Sequence, residues 1–209
     1  MDADLVEELV ALPCGELRIA RPRDAEALLS EEAFGEREFL PYWAELWPSG
    51  IALARVAGAR AWRGARVLEL GCGLGVAGIA AALAGARVLA TDWSPDAVAF
   101  AAANAARSGA SIETLVCDWS QAEELVARGP WSAVLASDVL YERRDGEALL
   151  ELLPRLVDER GEILLADPDR ATAAGFLAAA PARFAVRTTR LSERPRVSLH
   201  RLRLQGSRP

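Results

Sequence analysis

Residues 67–75 read Val67-Leu68-Glu69-Leu70-Gly71-Cys72-Gly73-Leu74-Gly75. An apolar run passes straight into alternating glycines, and helical spacing follows over Val76–Ala84. Strand, tight glycine loop and helix in that order form the opening unit of a parallel α/β sheet. Glycines at such a turn let the backbone approach a ligand that a Cβ would hold away. The first N–H groups of the helix also face the turn, unpaired and with positive potential. A glycine-rich turn without a ligand is the plain alternative.

Working downstream, the alternation repeats. Ala86–Thr91 reads as a second strand, and Ser94 caps a helix that has Pro95 at its first position and runs to about Arg107. Ile112–Cys117 is a third strand, residues 121–128 a short helix, and Ala133–Ser137 a fourth strand. Residues 144–158 read as a helix in which Pro154 is a candidate interruption, Glu162–Asp167 as a fifth strand, and Ala171–Ala180 as another helix. The tail changes character. Ala182–Leu191 and Arg196–Leu204 alternate apolar and polar residues across a short Ser-Glu-Arg-Pro turn, which permits only an antiparallel hairpin. The predicted fold is α/β, Rossmann-like and doubly wound, with a mostly parallel sheet and an antiparallel C-terminal edge. Upstream, Glu16–Ala20 suits a short strand, Asp24–Ala33 a helix, and Ser49 the cap of a helix over 50–60. Between them lies Phe39-Leu-Pro-Tyr-Trp-Ala-Glu-Leu-Trp-Pro-Ser-Gly50, aromatic and twice broken by proline.

Composition narrows the chemistry. The 209 residues fit one domain, and 52% are apolar, enough for a core. The net charge is −6, a balance that repels phosphate backbones and argues against a nucleic-acid partner. All 24 basic residues are arginine. Without lysine there is no Walker-type phosphate loop and no Schiff-base nucleophile. His200 is the one histidine, and no Gly-x-Ser-x-Gly elbow precedes it. Cys14, Cys72 and Cys117 make neither a zinc pattern nor a disulfide framework, so a reducing cytoplasm is expected and no metal. The acidic N-terminus does not resemble a secretory signal, and the longest uncharged run, 70–86, is short of a membrane span, so no membrane partner is expected.

The glycine loop also contains a Gly-x-Gly-x-x-Gly match, Gly73 to Gly78, which raises a nicotinamide-dinucleotide alternative. The match begins late for the tight turn, and Glu69 stands where a pyrophosphate needs no carboxylate. A carboxylate suits a cationic ligand, and S-adenosylmethionine carries a sulfonium and an ammonium without phosphate. Asp92 ends the second strand roughly 20 positions beyond Gly71, where an acid accepts from ribose hydroxyls. Capping the next helix is its plainer role. Asp118 and Trp119 end the third strand and are candidates for the adenine amino group and ring; Trp119 also reads as ordinary core.

Taken together, Glu69–Gly75, Thr91-Asp92, Cys117-Asp-Trp119 and Ser137-Asp-Val-Leu-Tyr141 resemble the seven-β-strand S-adenosylmethionine-dependent methyltransferases. Pro41-Tyr-Trp-Ala-Glu-Leu-Trp-Pro-Ser-Gly50 and Asp167-Pro168 resemble the protein-lysine branch, and within it the electron-transfer-flavoprotein β-subunit lysine methyltransferases and their bacterial relatives. The likeness covers about residues 15–190. It implies seven strands in the order 3-2-1-4-5-7-6 and a single domain, 1–209, whose residues 1–60 cover the cofactor pocket. It implies that Trp47 lies against S-adenosylmethionine, that Gly71 and Gly73 touch its methionine part, Asp92 its ribose and Trp119 its adenine side, and that Ser137 lines the floor near the sulfur. Asp138 and Tyr141 match a D-x-x-Y motif beside the target amine. Asp169 departs from the pattern, where glycine is expected.

The expected activity is methyl transfer to a protein lysine, with a small-molecule amine as the alternative partner. A nucleic-acid methyltransferase fits less well, since no N/D-P-P-Y/F motif follows the fourth strand. Neutralising lysine at pH 7 costs about 4–5 kcal/mol, and aligning the amine with the methyl group can supply roughly 7–11 kcal/mol. A carboxylate at Asp138 orients the amine but also holds it charged, so binding ranks first and proton acceptance second. Tyr141 is a wall or hydrogen-bond partner. Tyr42 and Trp43 read as packing, and Trp62, Trp93 and Trp131 carry no functional argument.

Overall fold

The computed structural model describes residues 4–13, 15–25 and 41–206. An antiparallel hairpin, β1 (Leu5–Leu12) and β2 (Gly15–Pro22), comes first. Next are α1 (Pro48–Gly58), β3 (Arg66–Leu70), α2 (Val76–Leu83), β4 (Arg87–Asp92), α3 (Pro95–Arg107) and β5 (Glu113–Val116). The chain continues through α4 (Glu123–Ala127), β6 (Trp131–Ser137), α5 (Arg143–Leu156), β7 (Val157–Asp167), α6 (Ala173–Ala179), β8 (Phe184–Glu193) and β9 (Arg196–Leu204). The main sheet has seven strands in the order β5-β4-β3-β6-β7-β9-β8. Counted from β3, that is the expected 3-2-1-4-5-7-6. The first five strands are parallel, β9 is antiparallel to β7, and β8 is antiparallel to β9.

The alternation of strand side chains divides the core in two. Leu68, Leu70, Val134, Ala136, Ile163 and Leu165 face α5 and α6, where Leu149, Leu153 and Phe176 cover them. Val67, Ala133, Leu135, Leu164 and Ala166 face the opposite layer, covered by Leu53 of α1 and Ile79 of α2. Glu69 takes the second side, under α2. Leu17 and Ile19 of the hairpin are fully buried in that same layer. One polar residue rivets the hairpin to the sheet. Asn104 of α3, itself fully buried, accepts from the Ala20 N–H at 2.8 Å and donates to the carbonyls of Ala20 and Leu74.

Several local readings are corrected. Glu16–Ala20 belongs to a longer strand whose partner, β1, the sequence reading did not recognise. The α1 helix begins at Pro48 with Trp47 as N-cap, so Ser49 lies inside it and does not cap it. Proline at a first helical position loses no bond, because that N–H has no partner in the helix. The α5 helix runs through Pro154, and the Leu150 carbonyl released by the missing N–H accepts instead from Arg183 Nη1 at 3.1 Å. Most of the helix expected over Asp24–Ala33 lies outside the described residues. Trp62 and Trp131 are buried and donate to the carbonyls of Ala57 and Leu125. No helix among the described residues is long and apolar enough to cross a membrane.

Replacing Asn104 with alanine strands the buried Ala20 amide and two carbonyls. We expect a loss of about 2–3 kcal/mol, read from the urea midpoint. A loss within experimental scatter contradicts the riveting role.

Candidate active site

The carboxyl ends of β3 to β7 open on one edge of the sheet, around a cavity of about 660 Å³. The glycine loop forms its floor. Gly71, Gly73 and Gly75 all have positive φ, 62°, 49° and 81°. At Gly73 a Cβ would lie 3.0 Å from the Trp43 carbonyl. Glycine is therefore demanded here by backbone geometry and by the crossing chain, in addition to any ligand. Gly78, which completes the dinucleotide-like match, has another cause. A Cβ there would stand 2.4 Å from Glu69 Oε2. The match reflects α2 lying on a buried carboxylate, and the glycine leaves room for that acid.

Glu69 and Asp92 occupy the tips of neighbouring strands and are nearly inaccessible. Glu69 Oε2 accepts from the Gly78 N–H at 3.0 Å. Asp92 Oδ2 accepts from the Gly73 N–H and Oδ1 from the Ser94 N–H, each at 3.0 Å, which ties the glycine loop to the start of α3. Ser94 caps that helix as expected, accepting from the Ala97 N–H. Burial pushes the Glu69 carboxyl up to about 8; the Gly78 N–H opposes this, and Asp92 adds to it. Burial also raises Asp92, against the N–H groups of Ser94 and Gly73.

The remaining walls come from other strand ends. Asp118 caps a short 3₁₀ turn, and its Oδ1 accepts from the Ser120 N–H and hydroxyl, both at 2.8 Å. Trp119 packs near Gly71, where a Cβ would meet its ring at 3.7 Å. Ser137 ends β6 beside Gly50 of α1. Asp138 follows with φ 58°, its N–H donating to the Ala166 carbonyl at 3.0 Å. Its Oδ1 accepts from Arg170 Nη1 at 2.6 Å, while Oδ2 is buried with the Ser49 hydroxyl beside it and no well-formed hydrogen bond. Burial raises the Asp138 carboxyl and Arg170 opposes that shift. Burial, reinforced by Asp145, Asp92 and Glu142, pushes the Tyr141 phenol to about 12.

All ten residues singled out from the sequence line this one cavity: Trp47, Glu69, Gly71, Gly73, Asp92, Asp118, Trp119, Ser137, Asp138 and Tyr141. Among the further lining residues, four were not anticipated for a site and bring aromatic or cationic groups. Tyr42, read as packing, stands 6.2 Å ring-to-ring from both Trp47 and Tyr141. Trp93 sits beside Asp92 and is half-exposed. Arg170 and Arg144 bring the wall's two guanidiniums. Adjacency to Asp92 was a usable signal for Trp93; nothing local marked Arg170. Trp43 does pack, 5.2 Å ring-to-ring from Phe100. Asp169 holds φ 62°, a backbone shape that favours glycine, and is held by Arg190 at 2.6 Å.

A family model described as lysine methyltransferase matches residues 42–179. The chain belongs to the lysine methyltransferase family. Its matched region contains the whole cavity wall. The chain is 39% identical over 137 residues to the electron transfer flavoprotein beta subunit lysine methyltransferase of Xenopus laevis, covering 63% of this chain and 54% of that one. It is 31% identical over 129 residues to the protein N-lysine methyltransferase METTL21A of Danio rerio, covering 58% and 59%. It thus spans little more than half the length of these curated relatives. Among solved structures, the TehB-like SAM-dependent methyltransferase of Corynebacterium glutamicum superposes with a TM-score of 0.60 at 18% identity, over 74% of this chain and 88% of that chain. This last likeness concerns the fold.

The cavity of this family member fits S-adenosylmethionine on its own chemistry. Two buried acids that have no arginine partner among the described residues suit a ligand carrying positive charge and hydroxyls, and the floor between them is a loop of alternating glycines. Because Glu69 is raised from 4.5 to about 8, its contribution to the ligand-free fold is full below about pH 4.5 and is lost as pH rises through 8. Glu69→Gln is therefore expected to unfold at higher denaturant than the unsubstituted protein at about pH 9 and near the same point at about pH 4. It should also bind S-adenosylhomocysteine about tenfold more weakly in calorimetry. Unchanged affinity together with an unchanged pH trend contradicts the role given to Glu69.

Proposed function

We propose that this chain transfers a methyl group from S-adenosylmethionine to the side-chain amine of a lysine in a protein. The observation that carries the reading is the make-up of the cavity wall: seven acidic side chains, of which Glu69 is largely protonated near pH 7 in the ligand-free protein, against two guanidiniums. Glu69 and Asp92 serve the donor. Asp138, whose second oxygen has only the Ser49 hydroxyl beside it, serves the acceptor. Such a wall attracts a cation and repels phosphate, so a nucleic-acid substrate is disfavoured. Free, buried Cys72 and Cys117 accord with a reducing cytoplasm.

Within the cavity each group has a definable task. Asp92 has both oxygens engaged by backbone N–H groups yet keeps acceptor capacity on each, as two ribose hydroxyls require. Trp47, Trp93 and Trp119 offer apolar faces for the nucleoside. When bound, the sulfonium supplies an electrophilic methyl carbon and a good leaving group. The protein then has to hold a neutral amine in line behind that carbon. Asp138 Oδ2 orients the amine and is the nearest candidate to receive its proton. Tyr141 stays protonated at any physiological pH, so it donates a hydrogen bond or forms a wall with Tyr42, and takes no part as a base. Tyr42, Trp43, Glu45, Trp47 and Gly50 line the pocket, which supports a covering role for the N-terminal segment.

Labelled methyl transfer tests the proposal. The electron-transfer-flavoprotein β subunit is the first acceptor to try, followed by a whole-protein extract. The chain contains no lysine, so label recovered as methyllysine after hydrolysis comes from the substrate alone. Methyllysine in the acceptor, falling at least about tenfold with Asp138→Asn, is the expected result. Labelling confined to small amines would assign the cavity to a metabolite and contradict the proposal.

A further inference from the structure

If the cleft receives a lysine amine, as proposed above, Asp138 presents a conflict. A bare carboxylate binds an ammonium well and then keeps it charged, while only the neutral amine can attack. The loop after β7 supplies a counterweight. Arg170 Nη1 donates to Asp138 Oδ1 at 2.6 Å and to Asp167 Oδ2 at 3.2 Å. The backbone N–H of Arg170 donates to Asp167 Oδ1 at 2.7 Å, and Asp167 is wholly buried. The guanidinium is thus anchored from β7 whatever Asp138 does. Asp138 is fixed from the other side by its N–H bond to Ala166 and its left-handed backbone. That leaves Asp138 Oδ2 and the neighbouring Ser49 Oγ of α1 buried against each other, with no stronger partner for either.

We propose that Arg170 is a positioning residue that moderates Asp138: it takes one carboxylate oxygen and offsets its charge, so that the other binds and orients the substrate ammonium while weakening its own hold on the proton. Two carboxylates around one guanidinium carry a net charge of −1 without substrate, and a bound ammonium neutralises the group. The other polar groups do not cancel this effect. Ser49 faces Asp138 from α1 and is neutral. Tyr141, on its own loop, stays protonated. His200 of β9, near Asp167, is held below its usual range by burial, which disfavours its charged form. From the same cavity wall Asp92 of β4 contributes negative charge and Arg144 positive charge, while Glu69 of β3, pushed up to about 8, is largely neutral near pH 7.

Removing a positive charge raises both the carboxyl and the bound amine. Arg170→Gln is therefore expected to displace the pH profile of kcat upward by about one unit or more, as loss of a close ion-pair partner does. At pH 7 kcat should fall about tenfold and recover in alkali, with KM for the acceptor not increased. Arg170→Lys keeps the charge and should return the profile to its original position. Both are assayed on the full chain with labelled S-adenosylmethionine and the electron-transfer-flavoprotein β subunit, with poly-lysine as a second acceptor. Calorimetric binding of S-adenosylhomocysteine verifies the fold, and Arg170→Met replaces the glutamine variant if binding is lost. A fall in kcat that is equal at every pH overturns this inference alone. Failure of the unsubstituted enzyme to label either acceptor overturns the proposed function, and this inference with it.

Discussion

Two carboxylates at adjacent strand tips, buried and held only by backbone N–H groups, are the constraint around which the rest is arranged. An ionised acid in such a place is costly unless charge or hydrogen bonds compensate it. Glu69 leans on the first turn of α2, which has room for it because residue 78 is glycine. Asp92 draws the glycine loop and the start of α3 together. The chain offers these acids amide dipoles and no arginine among the described residues, although arginine is abundant elsewhere: Glu162, midway along β7, is met by Arg60 and Arg201. A site that leaves its own acids short of positive charge is prepared for a ligand that brings some.

The same sheet divides the labour by position. The tips of β3, β4 and β5 carry the groups suited to a nucleoside: glycine floor, Asp92, Asp118 and Trp119. The tips of β6 and β7 carry Ser137, Asp138 and the Asp167–Arg170 anchor, suited to the acceptor. The boundary between these halves is the place where strand order reverses, with helices leaving on opposite faces, and such sheets open their ligand crevices there. Residues 42–50 lie over that boundary, so one aromatic segment meets both halves.

The central βαβα run was legible because its signals are local. β3, α2, β4 and α3 fall within a residue or two of their expected limits, marked by the glycines, by Ser94-Pro95 and by apolar strands too short to be helices. Glu69, the glycines, Asp92, Asp118 and Trp119 were legible from their places at strand ends, whereas the sheet order and Trp47, Ser137, Asp138 and Tyr141 came from the resemblance to a known family. What stayed hidden depends on contacts across the chain. Nothing near Arg170 says that it reaches back to residue 138; this follows only from β6 and β7 being neighbours. Leu5–Leu12 carries two adjacent glutamates in its middle and reads poorly as a strand until its partner, with Leu17 and Ile19 buried, is seen to pack against α2 and α3. Tyr42 looked like packing because its role depends on where the chain crosses the mouth of the cleft.

The central claim is spatial: a cationic donor lies across the tips of β3 and β4 with its sulfur toward Asp138. A crystal structure with S-adenosylhomocysteine tests it most directly. The account predicts ribose hydroxyls on Asp92, the amino-acid end over Gly71 and Gly73 near Glu69, and the sulfur beside Ser137, opening toward Asp138 Oδ2. A ligand bound elsewhere, or with its sulfur facing away from Asp138, would contradict it.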